Sequence, residues 1–169
     1  MPTGGRILSV ADGEGRNSVW LAQQGFQVQA FDVADRAVAK ARAFAERHGV
    51  SVDFAVADVD GFAWPEAAYD GVAAIFVQFA DPDTRTRLFE RIVRSLKPGG
   101  VLILQGYTPK QLDYRTGGPP ILSHLYTREL LASAFSDMSV IELREYEAEV
   151  REGQGHSGQS ARIGLVARR

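Results

Sequence analysis

The sequence predicts an α/β fold: a doubly wound, mostly parallel sheet with helices on both faces and a reversed strand near the carboxyl end. Three observations predict it. Apolar runs alternate with helix-period patterns over the first two-thirds of the chain. The opening run, Ile7 to Val10, breaks into a glycine-bearing turn, then a helix pattern, then a strand that ends at Asp32. That order places a nucleotide-like ligand at the carboxyl end of the first strand. Finally, the last two strand patterns are joined by fewer residues than a parallel crossover needs, so they form an antiparallel hairpin.

The first strand runs from Arg6 to Val10 and the first helix from Arg16 to Gln24, with the second strand from Gln27 to Phe31. A helix from Asp35 to His48 puts Val38, Ala41, Phe44 and Ala45 on one stripe and Arg36, Lys40, Arg42 and Arg47 outside it. Asp35 is placed to cap its start and Gly49 its end. Strands follow at Ser51 to Val56 and Gly71 to Phe76. A helix from Thr84 to Leu96 buries Leu88, Ile92, Val93 and Leu96 and stops at Lys97-Pro98-Gly99-Gly100, before a strand from Val101 to Gln105. A long connection from Gly106 to Leu125 carries Gly117, Gly118, Pro119 and Pro120. Thr127 then caps a short helix to Phe135, and strands at Met138 to Val150 and Ser160 to Ala167 flank the connection Arg151 to Gly158.

Composition narrows the function classes. The 169 residues, 45% hydrophobic and 24% charged, fit one globular domain spanning 1–169. A net charge of −2 with scattered arginines gives no basic surface for nucleic acid. The absence of cysteine excludes disulfides, thiolate metal sites and a cysteine nucleophile, and His48, His124 and His156 are far apart, so no metal site is expected. The first residues do not read as a signal peptide, and no apolar run approaches the ~18 residues that span a membrane. The expected location is cytoplasmic, without membrane association.

A dinucleotide fingerprint wants a third glycine where this chain, counted from Gly13 and Gly15, has Ser18. Counted from Ala11, the loop is instead small-x-Gly-x-Gly, which suits a nucleoside carrying an amino-acid tail. With Asp32 ending the second strand, Asp58-Val59 after the third, Leu96-Lys97-Pro98-Gly99-Gly100 before the fifth and the terminal hairpin, the chain resembles the class I S-adenosylmethionine-dependent methyltransferases over nearly its whole length. Gly13-Glu14-Gly15-Arg16-Asn17, Gly117-Gly118-Pro119-Pro120 and Leu125-Tyr126-Thr127 are similar to the branch that holds the tellurite-resistance and thiopurine methyltransferases. The resemblance implies a Rossmann-like sheet of order 3-2-1-4-5-7-6 and S-adenosyl-L-methionine as cofactor. Two features depart from the family pattern. Ser9 and Ala11 stand where an acid and a glycine are common, and only Met1 to Arg6 precede the first strand, where the family has a covering segment. The methionine side of the site is therefore expected to be open to water, or covered by a second copy in a homodimer.

The resemblance assigns roles residue by residue. Ala11, Asp12, Gly13 and Gly15 form the cofactor loop. Asp12 and Glu14 either lower the potential near the sulfonium or are idle loop acids. Asp32 accepts hydrogen bonds from the ribose hydroxyls, or is a solvated strand-end acid. Val33 packs on the adenine or is buried after the strand. Asp58 accepts from the adenine amino group while the Val59 N–H donates to the ring, or the pair is a plain turn. Phe76, ending the fourth strand, joins the cofactor set. Gln78 and Phe79 border the methyl or pack on the neighbouring loop. Tyr107 and Tyr126 contact the acceptor or, like Tyr114, anchor their loop. His156, in a glycine-rich setting, is the candidate general base, with His124 as competitor, and His48 complements a helix end. The expected reaction is methyl transfer to a small-molecule acceptor by in-line displacement without metal. A non-catalytic S-adenosylmethionine-binding or interaction protein is the alternative. An NAD(P)-dependent oxidoreductase is disfavoured by Ser18 and the reversed strand.

Overall fold

The computed structural model describes residues 4–151 and 157–169. Among the described residues seven strands form one sheet: β1 (Arg6–Val10), β2 (Gln27–Asp32), β3 (Asp53–Val56), β4 (Tyr69–Ile75), β5 (Leu96–Tyr107), β6 (Ser139–Arg151) and β7 (Ser157–Arg168). Their order is β3-β2-β1-β4-β5-β7-β6, as the resemblance implied. β1 pairs in parallel with β2 and β4, β2 with β3, and β4 with β5. β7 enters antiparallel between β5 and β6, with Leu165 opposite Leu104 on one side and Leu143 on the other.

The helices α1 (Arg16–Gln23), α2 (Asp35–Arg47), α3 (Pro82–Ser95), α4 (Gln111–Tyr114) and α5 (Arg128–Ala134) divide between the faces. Alternation along β1 separates the two cores, because successive side chains leave opposite faces. Leu8 and Val10 join Val72, Leu102, Leu104 and Leu165 in a cluster with Leu88, Phe89 and Ile92 of α3 and Leu131 of α5. Ile7 points the other way, to Leu21 of α1, and Val38, Ala41 and Ala45 of α2 pack with Ala30 and Phe54. No helix among the described residues is long and apolar enough to cross a membrane.

Local signals fix most ends. α1 and α2 both close with a left-handed glycine that returns two hydrogen bonds to the last turn: Gly25 to Ala22 and Phe26 to Leu21, Gly49 to Glu46 and Val50 to Ala45. Thr127 caps α5 by accepting from the Leu130 N–H at 3.2 Å.

Other boundaries differ from expectation. The residue flanking α2 is Ala34, and Asp35 is already helical. α3 starts at Pro82 because Asp81 accepts from the Thr84 N–H at 2.8 Å. Lys97-Pro98-Gly99-Gly100 does not precede β5 but forms an irregularity inside it, where the register slips between Tyr69–Leu96 and Gly71–Val101. Gly99 and Gly100 there exchange backbone hydrogen bonds with Arg169. The connection after β5 contains α4 and a 3-10 turn, Leu122–His124.

Candidate active site

β1 is the switch point of the sheet: α1, which follows it, lies on one face, and α3, which follows its neighbour β4, lies on the other. The crevice at their carboxyl ends is where such sheets take ligands. Both strands leave the sheet through a non-glycine residue in left-handed backbone, Ala11 at φ +48° and Phe76 at φ +57°. Conformations this rare in L-residues persist where the surroundings dictate them, characteristically at functional sites.

The loop after β1 alternates left-handed residues, with Ala11 followed by Gly13 at φ +62° and Gly15 at φ +90°. The two glycines serve different needs. A Cβ on Gly15 would come within 2.9 Å of the Ala41 Cβ, so this glycine lets α2 pack against the turn. A Cβ on Gly13 would meet nothing within 4 Å. Gly13 is the position that leaves the backbone open to a ligand.

Asp32 ties that open turn down. Its carboxylate accepts from the Gly13 N–H at 2.9 Å and from the Ala34 N–H at 2.9 Å. An ionised carboxylate has about four lone-pair sites, so two remain for hydroxyl donors. Val33 beside it is 69% exposed, not buried after the strand, and offers an uncovered apolar surface. Asp58 is exposed and closes a turn by accepting from the Gly61 N–H at 2.6 Å. The Val59 side chain is buried in the core, and its carbonyl accepts from the Trp64 indole at 2.7 Å and from Arg91.

Asp12 turns inward. It accepts from the Ser9 hydroxyl at 2.6 Å, from the Ser18 N–H at 3.2 Å and from the Ser18 hydroxyl. Burial raises its pKa, and these hydrogen bonds oppose the rise. Ser18, which stands where a dinucleotide loop has its third glycine, thus fastens the turn to α1. The carboxylate absent at Ser9 is supplied three residues on. Glu14 is held by Lys40 at 2.6 Å, which lowers its pKa.

A cleft of about 490 Å³ adjoins the loop, lined by Arg16, Phe76, Gln78, Phe79, Tyr107, Gly118 and Pro119. The Phe76 and Tyr107 rings stack at 4.6 Å and 29°. Gly118 lies against the Tyr107 ring, where an added Cβ would sit 2.7 Å from Cδ2. Gln78 is buried and bolts two loops together: its Oε1 accepts from the Tyr107 N–H at 2.6 Å, and its Nε2 donates to the carbonyls of Tyr107 at 2.9 Å and His124 at 3.1 Å. Its side-chain amide therefore works within the protein, although the residue borders the cleft.

The structure thus gathers three of the four candidate acceptor residues, Gln78, Phe79 and Tyr107, beside Phe76. Tyr126 is the exception. Its ring is fully buried against Phe89, its hydroxyl has no hydrogen-bond partner among the described residues, and burial pushes its phenol up. It is absent from the cleft lining. His124 places Nδ1 at 3.1 Å from the Gln78 carbonyl. His156 lies outside the described residues. A separate depression of about 520 Å³ between α3 and α5 contains none of the strand-end residues.

Sequence reasoning missed Arg16, Gly118, Pro119 and Gln111. Buried Gln111 donates to the Thr116 hydroxyl and the Gly117 carbonyl at 3.0 Å each, and accepts from the Ala161 N–H at 2.8 Å. It fixes the glycine pair that covers Tyr107 to β7. Arg16 had a signal, since it directly follows the loop. Gln111 had none, because the partner that ties it to β7, Ala161, lies 50 residues away in the chain.

With Ser18 drawn onto Asp12, the turn has no glycine at the dinucleotide position, while Asp32 keeps accepting capacity, Gly13 an open backbone and Val33 an exposed apolar surface. The sheet with its reversed β7 has the strand order of the class I S-adenosylmethionine-dependent methyltransferases, a class whose cofactor is S-adenosylmethionine. Residues 7–100 match the family described as the methyltransferase domain, and the chain belongs to that family. It is 36% identical over 104 residues to a ubiquinone biosynthesis O-methyltransferase of Xanthomonas axonopodis pv. citri, covering 61% of this chain and 43% of that protein. The chain spans about half or less of the length of the curated relatives it matches first, from 38% to 53%. In fold it superposes on a SAM-dependent methyltransferase from Methanosarcina mazei with a TM-score of 0.83 at 20% identity, covering 100% of this chain and 94% of that one. TehB from Haemophilus influenzae gives 0.80 at 17%, covering 99% and 58%.

Proposed function

We propose that this chain, acting as one domain, transfers the methyl group of S-adenosylmethionine to an oxygen of a small molecule bound in the cleft between Arg16, Phe79 and Tyr107. One observation carries the reading: the cleft opens at the carboxyl ends of β4 and β5, next to the turn that Asp32 holds. A sulfonium supplies an electrophilic methyl with a neutral leaving group, so the protein's task is alignment and exclusion of water. Asp32 takes the ribose hydroxyls, Gly13 allows the close approach, and Val33 and Asp58 meet the adenine. Phe76 and Tyr107 wall the acceptor side. His156 is the proposed base for a neutral hydroxyl. The name of the Xanthomonas relative favours oxygen, and TehB is a neighbour that favours placement in the tellurite-resistance branch.

Calorimetry with S-adenosylmethionine and S-adenosylhomocysteine tests the cofactor half. Asp32→Ala is expected to weaken both by about tenfold or more, through loss of charge-assisted hydrogen bonds of about 1.5–3 kcal/mol. Unchanged affinity in that variant overturns the assignment. Methyl transfer from labelled cofactor across phenols, catechols and carboxylic acids tests the acceptor half.

A further inference from the structure

We infer that the cleft selects a flat acceptor carrying an anionic group, with Arg16 as its counter-charge. This rests on the reading of the cleft as the acceptor site and names the chemistry that would fill it. Of the described side chains lining it, only Arg16 is charged. Glu14, two residues away, is the neighbouring acid; Lys40 holds its carboxylate at 2.6 Å, and Arg16 acts on it only through space, without a contact. Among the described residues Arg16 forms no ion pair. A guanidinium stays charged across the physiological range and presents a planar fork that matches a carboxylate.

The polar side chains beside Arg16 are Gln78 and Tyr107. The Gln78 amide is bound to backbone at both ends, so it cannot turn to a ligand without releasing the loops it joins. The rings in the lining supply flat aromatic surface. Phe76 is stacked on Tyr107 and has the Arg162 guanidinium 5.4 Å from its centroid, which makes these rings a fixed wall. Phe79 is 54% exposed and supplies the uncovered aromatic surface. A volume of about 490 Å³ lies within the range of small-molecule sites and accommodates a fused bicyclic body. Among the described residues no carboxylate lines the cleft to repel an acid. A neutral planar molecule would gain the apolar contacts but leave the guanidinium without a partner.

The test uses the full chain saturated with S-adenosylhomocysteine, titrated calorimetrically with 2-naphthoate and with its neutral analogue 2-naphthamide. Naphthoate is expected to bind about tenfold or more tightly than naphthamide, the effect of one charge-assisted contact. That preference should vanish in Arg16→Gln, return in part in Arg16→Lys, and shrink with added salt in the original chain. Equal binding of the two probes, no binding of either, or a preference that survives Arg16→Gln would overturn the inference. Cofactor affinity is read separately: failure of S-adenosylhomocysteine to bind defeats the functional reading itself, whereas normal cofactor binding without the anionic preference defeats only this one. Arg16 is exposed, and unchanged circular dichroism of the variants excludes misfolding as the cause.

Discussion

Gly13 and Gly15 both need left-handed backbone, yet their surroundings make them fail differently. Gly13→Ala adds a methyl to open space, so its stability cost is the αL penalty of about 1 kcal/mol. The methyl would stand where the ligand approaches, and cofactor affinity should fall more than stability. Gly15→Ala adds the same penalty plus a clash with Ala41 in α2, together about 2–4 kcal/mol. Thermal melts alongside cofactor titrations separate the two; a larger loss of stability in the Gly13 variant would refute the division of roles. The sequence made the loop legible because glycine spacing is a local property. It did not reveal that Gly15 serves helix packing, since the partner is Ala41 across the fold. Asp32 was equally legible from its place at a strand end. Tyr126 and Gln78 were not: residue type does not say which side of a long loop faces the core, and tertiary contacts decide it.

The same limit governs the elements. Long amphipathic stretches such as α2 were readable because each buried residue repeats on one stripe. The four-residue α4 has no period to read, and it exists because its side chains find partners on β6 and β7. Glu147 of β6 accepts from Lys110 and, at 2.5 Å, from the Tyr114 hydroxyl. These donors lower its pKa to about 2 from an ordinary 4.5. A depressed carboxylate contributes fully above its unfolded value and loses its effect as pH falls through the folded one. Protection of the α4 amides, measured against the intrinsic exchange rate at each pH, should therefore be constant from neutrality down to about pH 4.5 and fall as pH falls further towards 2. Glu147→Gln should show the lowered protection already at pH 7, and indifference to both changes would show that the contact does not hold α4. Gln111 fastens the same segment from within. Gln111→Ala should lower kcat/KM for the acceptor about tenfold, by the loss of buried hydrogen bonds worth about 1–3 kcal/mol, with cofactor affinity retained. Equal loss of cofactor binding would mean that the segment shapes the nucleoside side instead.

At the scale of the molecule, the sheet separates the work of the two ends of the chain. In the proposed reading the turns after β1, β2 and β3 offer Gly13, Asp32 and Asp58 to the cofactor, while the loops after β4 and β5, braced by the reversed β7, hold the acceptor. That all these turns lie on one edge was predictable from the strand order alone, because carboxyl ends of parallel strands share that edge. Binding at that edge bridges turns that otherwise touch through few hydrogen bonds, Gly13 to Asp32 among them, and so should stabilise the whole fold through linkage. At 100 times its dissociation constant a ligand specific for the native state adds about 2.7 kcal/mol, which for a domain of this size raises the melting temperature by roughly 5–10 °C. S-adenosylhomocysteine should produce that shift in differential scanning fluorimetry, and NAD(H) and NADP(H) should produce none. The discriminating residue is Ser18: its hydroxyl and N–H close on Asp12, which fills the space that close packing beneath a pyrophosphate would require. A shift with the nicotinamide cofactors alone would mean that this turn opens to bind phosphate, and that the geometry around Asp12 has been assigned to the wrong ligand.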